Sequence, residues 1–186
     1  MTANEKTDLK ELADKNIFGV TLQRLAYQLI ENHDEFTNSV ILGLQPRGIY
    51  VARRIHKVLT EILGKKILIG DLDVTFFRDD FRQQEKPIIP SATQVDFLIE
   101  DKKVILMDDV LFTGRTIRAG LDAMLAFGRP AKVELLVLVD RRYSRHVPVE
   151  PDYVGIAVDT ISSQKVKVSW KETDGEDNII LLSTEK

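Results

Sequence analysis

Two adjacent carboxylates, Asp108 and Asp109, follow the apolar run Val104, Ile105, Leu106, Met107. After Val110, Leu111 and Phe112 comes Thr113-Gly114-Arg115-Thr116. Neighbouring carboxylates repel unless hydroxyl donors or a cation offset their charge. The vicinal hydroxyls of a ribose supply donors, and Mg²⁺ supplies charge. Gly114 lets the backbone approach a ligand closely, free amides at a helix start favour an anion, and the threonine hydroxyls add donors. The segment reads as a site for a phosphorylated sugar, with carboxylates on the ring hydroxyls and a cradle for the phosphate. The plain structural alternative is a strand–turn–helix with an Asp cap. The spacing is neither that of a Walker loop nor that of a GxGxxG dinucleotide fingerprint.

Such a segment needs a sheet to deliver it. Leu22, Leu25, Ala26, Leu29 and Ile30 follow helical spacing between Val20 and Asn32. Val40–Leu44 reads as a buried strand, broken by Gln45-Pro46-Arg47-Gly48, and Ile49–Leu63 reads as a helix ending at Gly64. Lys66–Phe77 alternates and predicts a long strand, and Arg78–Pro90 is a polar loop. Lys103–Met107 predicts a strand, Thr116–Phe127 a helix closed by Gly128, and Val133–Val139 a strand buried on both faces. Strands alternating with helices imply an α/β fold with a mostly parallel central sheet and helices on both faces. The short pieces Tyr153–Val158, Lys165–Trp170 and Ile179–Leu182 predict a small β-rich flap. In open α/β sheets ligands bind beyond the carboxyl ends of the strands. The loops Gln45–Gly48, Arg78–Pro90 and Asp108–Thr116 fall there.

Composition narrows the function classes. The 186 residues fit one domain, with a core at about 20–142 and a hood from about 143–186 joined by the N-terminal segment. The net charge is −3 with 30% charged residues, which makes no demand for nucleic acid. There is no cysteine, so no disulfide, thiolate metal site or cysteine nucleophile. His33, His56 and His146 stand apart without ligand spacing. The N-terminal stretch is polar rather than signal-like, and no apolar run approaches membrane-spanning length. A cytoplasmic protein is expected.

The segment Val104–Thr116 resembles the phosphoribosyl pyrophosphate (PRPP) motif of the type I phosphoribosyltransferases. Gly43–Ile55, Ile69–Asp80, Ile105–Pro130 and Val137–Tyr143 further resemble the PyrR family of that fold, bifunctional pyrimidine operon regulators and uracil phosphoribosyltransferases. The resemblance implies the type I phosphoribosyltransferase fold with a hood, and transfer of the phosphoribosyl group from PRPP to uracil, giving UMP and pyrophosphate. Mg²⁺ would enter with PRPP and without direct protein ligands. Asp108 and Asp109 would meet the ribose hydroxyls, with Asp109 able to take up a proton. Residues Val104 to Thr116 would bind the ribose phosphate. Pro46, Arg47 and Gly48 would bind pyrophosphate, in a loop that in this family often carries a non-proline cis peptide. Arg78 and Arg82, on a mobile catalytic loop at Phe77–Pro90, would contact the leaving group. Phe112, Asp140, Arg141, Tyr153 and Val154 would recognise the base, Tyr153 by stacking. Phe112 stands where purine enzymes tend to carry an aspartate, which favours a pyrimidine.

Two other readings stay open. One is an RNA-binding attenuator, meeting an mRNA leader hairpin through Arg24, Tyr27, Arg142 and Arg145. In that reading Glu31, Asp34 and Glu35 weaken a phosphate-binding surface. The other is a hypoxanthine or guanine phosphoribosyltransferase. The resemblance also implies a homo-oligomer and no membrane association.

Overall fold

The computed structural model describes residues 7–77, 92–161 and 163–184. The expected loop at Arg78–Pro90, with Arg78 and Arg82, lies outside them.

Five strands form one sheet in which every pairing is parallel: β2 (Ser39–Leu44), β3 (Leu68–Leu72), β4 (Lys103–Leu111), β5 (Lys132–Arg142) and β6 (Tyr153–Asp159). Their order is β3-β2-β4-β5-β6. Alternate side chains serve opposite faces. Ile41, Ile105, Met107, Leu136 and Leu138 pack with helices α1 (Lys15–His33) and α2 (Gly48–Leu63). Val40, Leu42, Leu44, Leu106 and Val137 pack with α3 (Arg115–Met124). The chain leaves β2 for β3 on one side and returns to β4 on the other. The loops after β2 and β4 therefore diverge and open the crevice where such sheets bind ligands.

Several boundaries differ from expectation for identifiable reasons. Helix α1 begins at Lys15 because the Asp14 carboxylate accepts the amides of Asn16 and Ile17, at 2.9 and 2.8 Å. The long strand expected at Lys66–Phe77 stops at Leu72. Asp73 accepts both the amide and the hydroxyl of Thr75, at 2.9 and 2.6 Å, and turns the chain into a short 3₁₀ turn. Strand β4 continues past Met107 to Leu111, so Asp108 and Asp109 lie on its last residues. Helix α3 ends at Met124 and continues as a 3₁₀ turn to Phe127 before Gly128.

The tail divides between two sheets. β6 joins the parallel sheet as its edge rather than the flap. The hood is a separate antiparallel sheet of β1 (Thr7–Ala13), β8 (Asn178–Thr184) and β7 (Gln164–Ser169), in that spatial order. Trp170, which follows β7, is wholly buried under it, edge-on to Phe18 and tilted against Tyr50. Arg54 of α2 ties the hood down. It donates to Glu172 at 3.0 and 2.6 Å and to Asp177 at 2.7 Å, and lies 5.0 Å from the Trp170 ring centroid.

Candidate active site

The carboxylates sit where β4 meets the start of α2. Asp108 is buried, and its Oδ1 accepts the amide of Asp109 at 2.9 Å. A Cβ on Gly48 would stand 2.5 Å from the Met107 carbonyl oxygen and 3.1 Å from Asp108 Oδ1. Only glycine lets α2 close so tightly on β4. Arg47, at the N-cap of α2, supplies no side-chain cap to it. Its guanidinium instead donates to Asp109 Oδ2 at 3.3 Å, to Asp174 Oδ2 at 3.0 Å and to the Val168 carbonyl. Burial pushes the Asp109 carboxyl up from its ordinary range, against the pull of Arg47. Asp174 is held down to about 2 by the Trp170 amide and by Arg47. The peptide between Gln45 and Pro46 is cis, so the cis bond precedes a proline here.

The phosphate cradle follows. Gly114 has φ 85°, a left-handed turn that starts α3 without a side chain of its own to cap it, and the Arg115 amide meets only the Thr113 hydroxyl, at 3.5 Å. Arg115 and Thr116 occupy that first turn. The Thr113 carbonyl accepts the amides of His146 and Val147, at 2.9 and 3.1 Å. Arg145 fastens the same two loops, donating to the carbonyls of Leu111, Phe112 and Arg141 and to the Asp140 carboxylate.

Two cavities open near these loops. One is a cavity of about 670 Å³ lined by Phe112, Tyr143, Arg145, His146, Asp159 and Thr160 among others. The Arg141 guanidinium lies 3.9 Å from the centroid of the Phe112 ring. Arg141 is buried and held by the Thr160 hydroxyl at 3.2 Å and the Gln164 carbonyl at 2.7 Å. Burial lowers its pKa. The other lobe is a cavity of about 420 Å³ between β4 and β7, lined by Arg47, Asp109, Lys165, Lys167 and Val168 among others.

The arrangement corrects several expected roles. Val104, Ile105, Leu106 and Met107 are fully buried sheet residues, and Leu111 is 1% exposed, so none of them can touch a ligand. Tyr153 is not a base-stacking residue. It pairs with Leu136 at the entry end of β6, six residues before Asp159 and so about 20 Å from the base lobe. There its hydroxyl lies 3.2 Å from Glu134 Oε2 and 3.3 Å from His33 Nε2, inside the core. Val154, opposite Val137, packs on the α3 side of the sheet and is equally remote. Asp140 meets Arg145 and not the cavity directly. Arg145 is half-buried and already donates to three carbonyls of neighbouring loops and to Asp140. Arg24 donates to the carbonyls of Val154 and Gly155, at 3.2 and 2.6 Å, and Arg142 pairs with Asp159 at 2.7 Å. Tyr27 is exposed on α1. Thr160, Ile161, Tyr143 and Asp174 were not expected at the site. A hydroxyl directly after a strand, as at Thr160, is the one signal that could have suggested its part.

Asp108 and Asp109 present hard carboxylate oxygens side by side, the donor type magnesium takes, so the residues fit a Mg²⁺ ion carried in on a diphosphate. Among the described residues there is no cluster of three or more His, Asp or Glu able to hold a metal by itself. No helix among them is long and apolar enough to cross a membrane.

Comparison with known proteins places this geometry. A family model described as the phosphoribosyl transferase domain matches residues 8–173. The chain is 49% identical over 160 residues to the bifunctional protein PyrR of Desulfosudis oleivorans, covering 86% of this chain and 88% of that one. It is 43% identical over 173 residues to the bifunctional protein PyrR of Limosilactobacillus fermentum, covering 92% and 96%. Among solved structures, the hypoxanthine phosphoribosyltransferase of Trypanosoma cruzi aligns with a TM-score of 0.70 at 17% identity, covering 95% of this chain and 97% of that one. A likeness at that identity speaks for the fold alone.

Proposed function

The chain belongs to the phosphoribosyl transferase family, in its PyrR group, and from that premise we propose that it transfers the phosphoribosyl group of PRPP to uracil. The carrying observation is the run from Asp108 to Thr116, which joins a carboxylate pair at the end of β4 to a helix start at Gly114. In this reading Asp108 and Asp109 accept hydrogen bonds from the ribose hydroxyls. The first amides of α3 and the Thr113 and Thr116 hydroxyls hold the 5′-phosphate. Uracil lies on Phe112 with Arg141 behind the ring. The bond from ribose C1 to the pyrophosphate oxygen breaks, uracil N1 bonds to C1 with inversion, and N1 gives up its proton. The charge developing on the ribose is stabilised by preorganised oxygens. Mg²⁺, when bound, offsets the charge of the departing pyrophosphate. Pro46, Arg47 and Gly48 border the leaving group, and Arg78 and Arg82 remain candidates for it.

A PRPP-dependent assay across uracil, hypoxanthine, guanine and orotate tests this reading. UMP formation at a kcat/KM at least tenfold above that for any other base is expected. Preference for hypoxanthine or guanine would refute it. PRPP, uracil, UMP and pyrophosphate are accordingly the proposed small-molecule partners, in a cytoplasmic homo-oligomer. Exposed Ile17 and Val20 on α1 support a contact face.

A second activity is favoured by the name of the relatives, which are bifunctional. We infer an mRNA leader hairpin as its object, with Arg24, Tyr27 and Arg142 the expected residues exposed on the surface. UMP-dependent retention of leader RNA in a filter-binding titration supports it, and RNA affinity indifferent to UMP argues against it.

A further inference from the structure

We propose that the hood contributes a lysine pair, Lys165 and Lys167, that binds the pyrophosphate group. The proposal rests on the phosphoribosyl-transfer reading and names which residues take its most highly charged part. Both lysines lie on β7, two residues apart and so on one face of the strand. Both line the cavity that also holds Arg47 and Asp109.

The charge balance of that lobe calls for them. Arg47 faces two carboxylates, Asp109 and Asp174, so the trio carries one negative charge in excess. A pyrophosphate brought to this trio alone would be repelled. Lys165 and Lys167 are exposed, and neither ammonium has an ion-pair or hydrogen-bond partner among the described residues. With them the lobe turns net positive, and it shares no lining residue with the Phe112 cavity. PRPP carries its leaving group and the incoming base on opposite faces of C1, so a cationic lobe separate from the Phe112 cavity suits the leaving group.

The hood's position gives the pair a second consequence. β7 is an edge strand, and its Val168 carbonyl already accepts from Arg47. A pyrophosphate held between Arg47 and the two ammoniums would draw the same strand toward β4. Lysines on an edge strand also guard it against pairing with other chains, and that role makes no demand on anion affinity.

Calorimetric titration of the full chain with magnesium pyrophosphate and, separately, with UMP tests the proposal on the Lys165→Gln/Lys167→Gln variant. Pyrophosphate affinity is expected to fall about tenfold, the size of two partly exposed charge-assisted contacts. UMP affinity should stay within about twofold of wild type, since UMP does not reach the lobe. Lys165→Arg/Lys167→Arg should restore most of the loss. Unchanged pyrophosphate affinity overturns the proposal, as does a parallel fall in UMP affinity. A wild-type protein that binds pyrophosphate through these lysines yet makes no UMP from uracil and PRPP leaves the lysine site standing and refutes the transfer reading instead.

Discussion

Arg141 lies over the Phe112 ring, its guanidinium carbon 3.9 Å from the ring centroid, and Phe112 also lines the larger of the two cavities. The cation is buried and anchored from behind, so it stiffens the ring. Phe112→Ala should raise the KM for uracil about tenfold, as lost stacking and cation–π support amount to about 1–2 kcal/mol. The KM for PRPP should change less. Steady-state kinetics with each substrate varied in turn check this.

Asp109 is poised between burial and Arg47. Asp109→Asn should lower kcat about a hundredfold or more while leaving the melting temperature at or above wild type, because a buried charge is removed. Asp109 works as an acceptor when ionised, and burial raises its pKa. Activity should therefore fall on the acid side at a pH above the ordinary carboxylate range, and the Asn variant should lack that limb. A pH profile of kcat/KM for PRPP separates the two.

Tyr153 belongs to the core and not to the base site. Tyr153→Leu should cost about 2–3 kcal/mol of stability, from packing and from the lost hydrogen bond to Glu134. The KM for uracil should remain within twofold. Urea denaturation and kinetics on the same preparation decide between the two roles.

Acid should weaken the fold through the same cluster. His33 lies 2.6 Å from Glu134 Oε2, and its pKa is lowered, chiefly by burial. Burial works to raise Glu134, but the Lys132 ammonium and His33 outweigh it and hold it low. Both groups bind protons more readily in the unfolded chain. Their contribution is complete above the ordinary histidine value of 6.5 and is lost as pH falls through the folded values. Each proton gives a slope of at most about 1.4 kcal/mol per pH unit. Melting curves from pH 8 to 4 should show a decline beginning near pH 6.5, and His33→Gln should flatten its upper part.

Arg54 holds the hood to α2 through Glu172, Asp177 and the face of Trp170. Arg54→Met should reduce stability by about 2 kcal/mol, the pairs being partly exposed. Arg54→Lys should recover less than half, because an ammonium cannot reproduce the forked contact with Glu172. Chemical denaturation of the three proteins measures it.

The local parts of this molecule were legible where apolar runs meet glycine. Strand β2, helix α2 with its stop at Gly64, and the carboxylates of β4 could be read from spacing alone. What escaped depends on contacts distant in sequence. Tyr153 reads the same whether its strand enters or leaves the sheet, and only its pairing with Leu136 reveals the entry end. Arg145 looks like part of a solvated basic run, until the carbonyls of Leu111 and Phe112 arrive from another loop. The segment at Thr7–Ala13 has no apolar run to announce a strand. It becomes one because β8, at the far end of the chain, lies beside it.

That last pairing sets an order of assembly. β1 precedes every strand of the parallel sheet in the chain and β8 follows them all, with Thr7 registered on Thr184. Every strand of the parallel sheet is complete before β8 is made. The sugar-phosphate crevice can thus take shape before the hood, while Arg47 gains Val168 and Asp174 only once the segment after β6 has been made. Contacts of such long sequence separation form slowly. The hood's grip on Arg47 therefore depends on the slowest class of contact in the described fold.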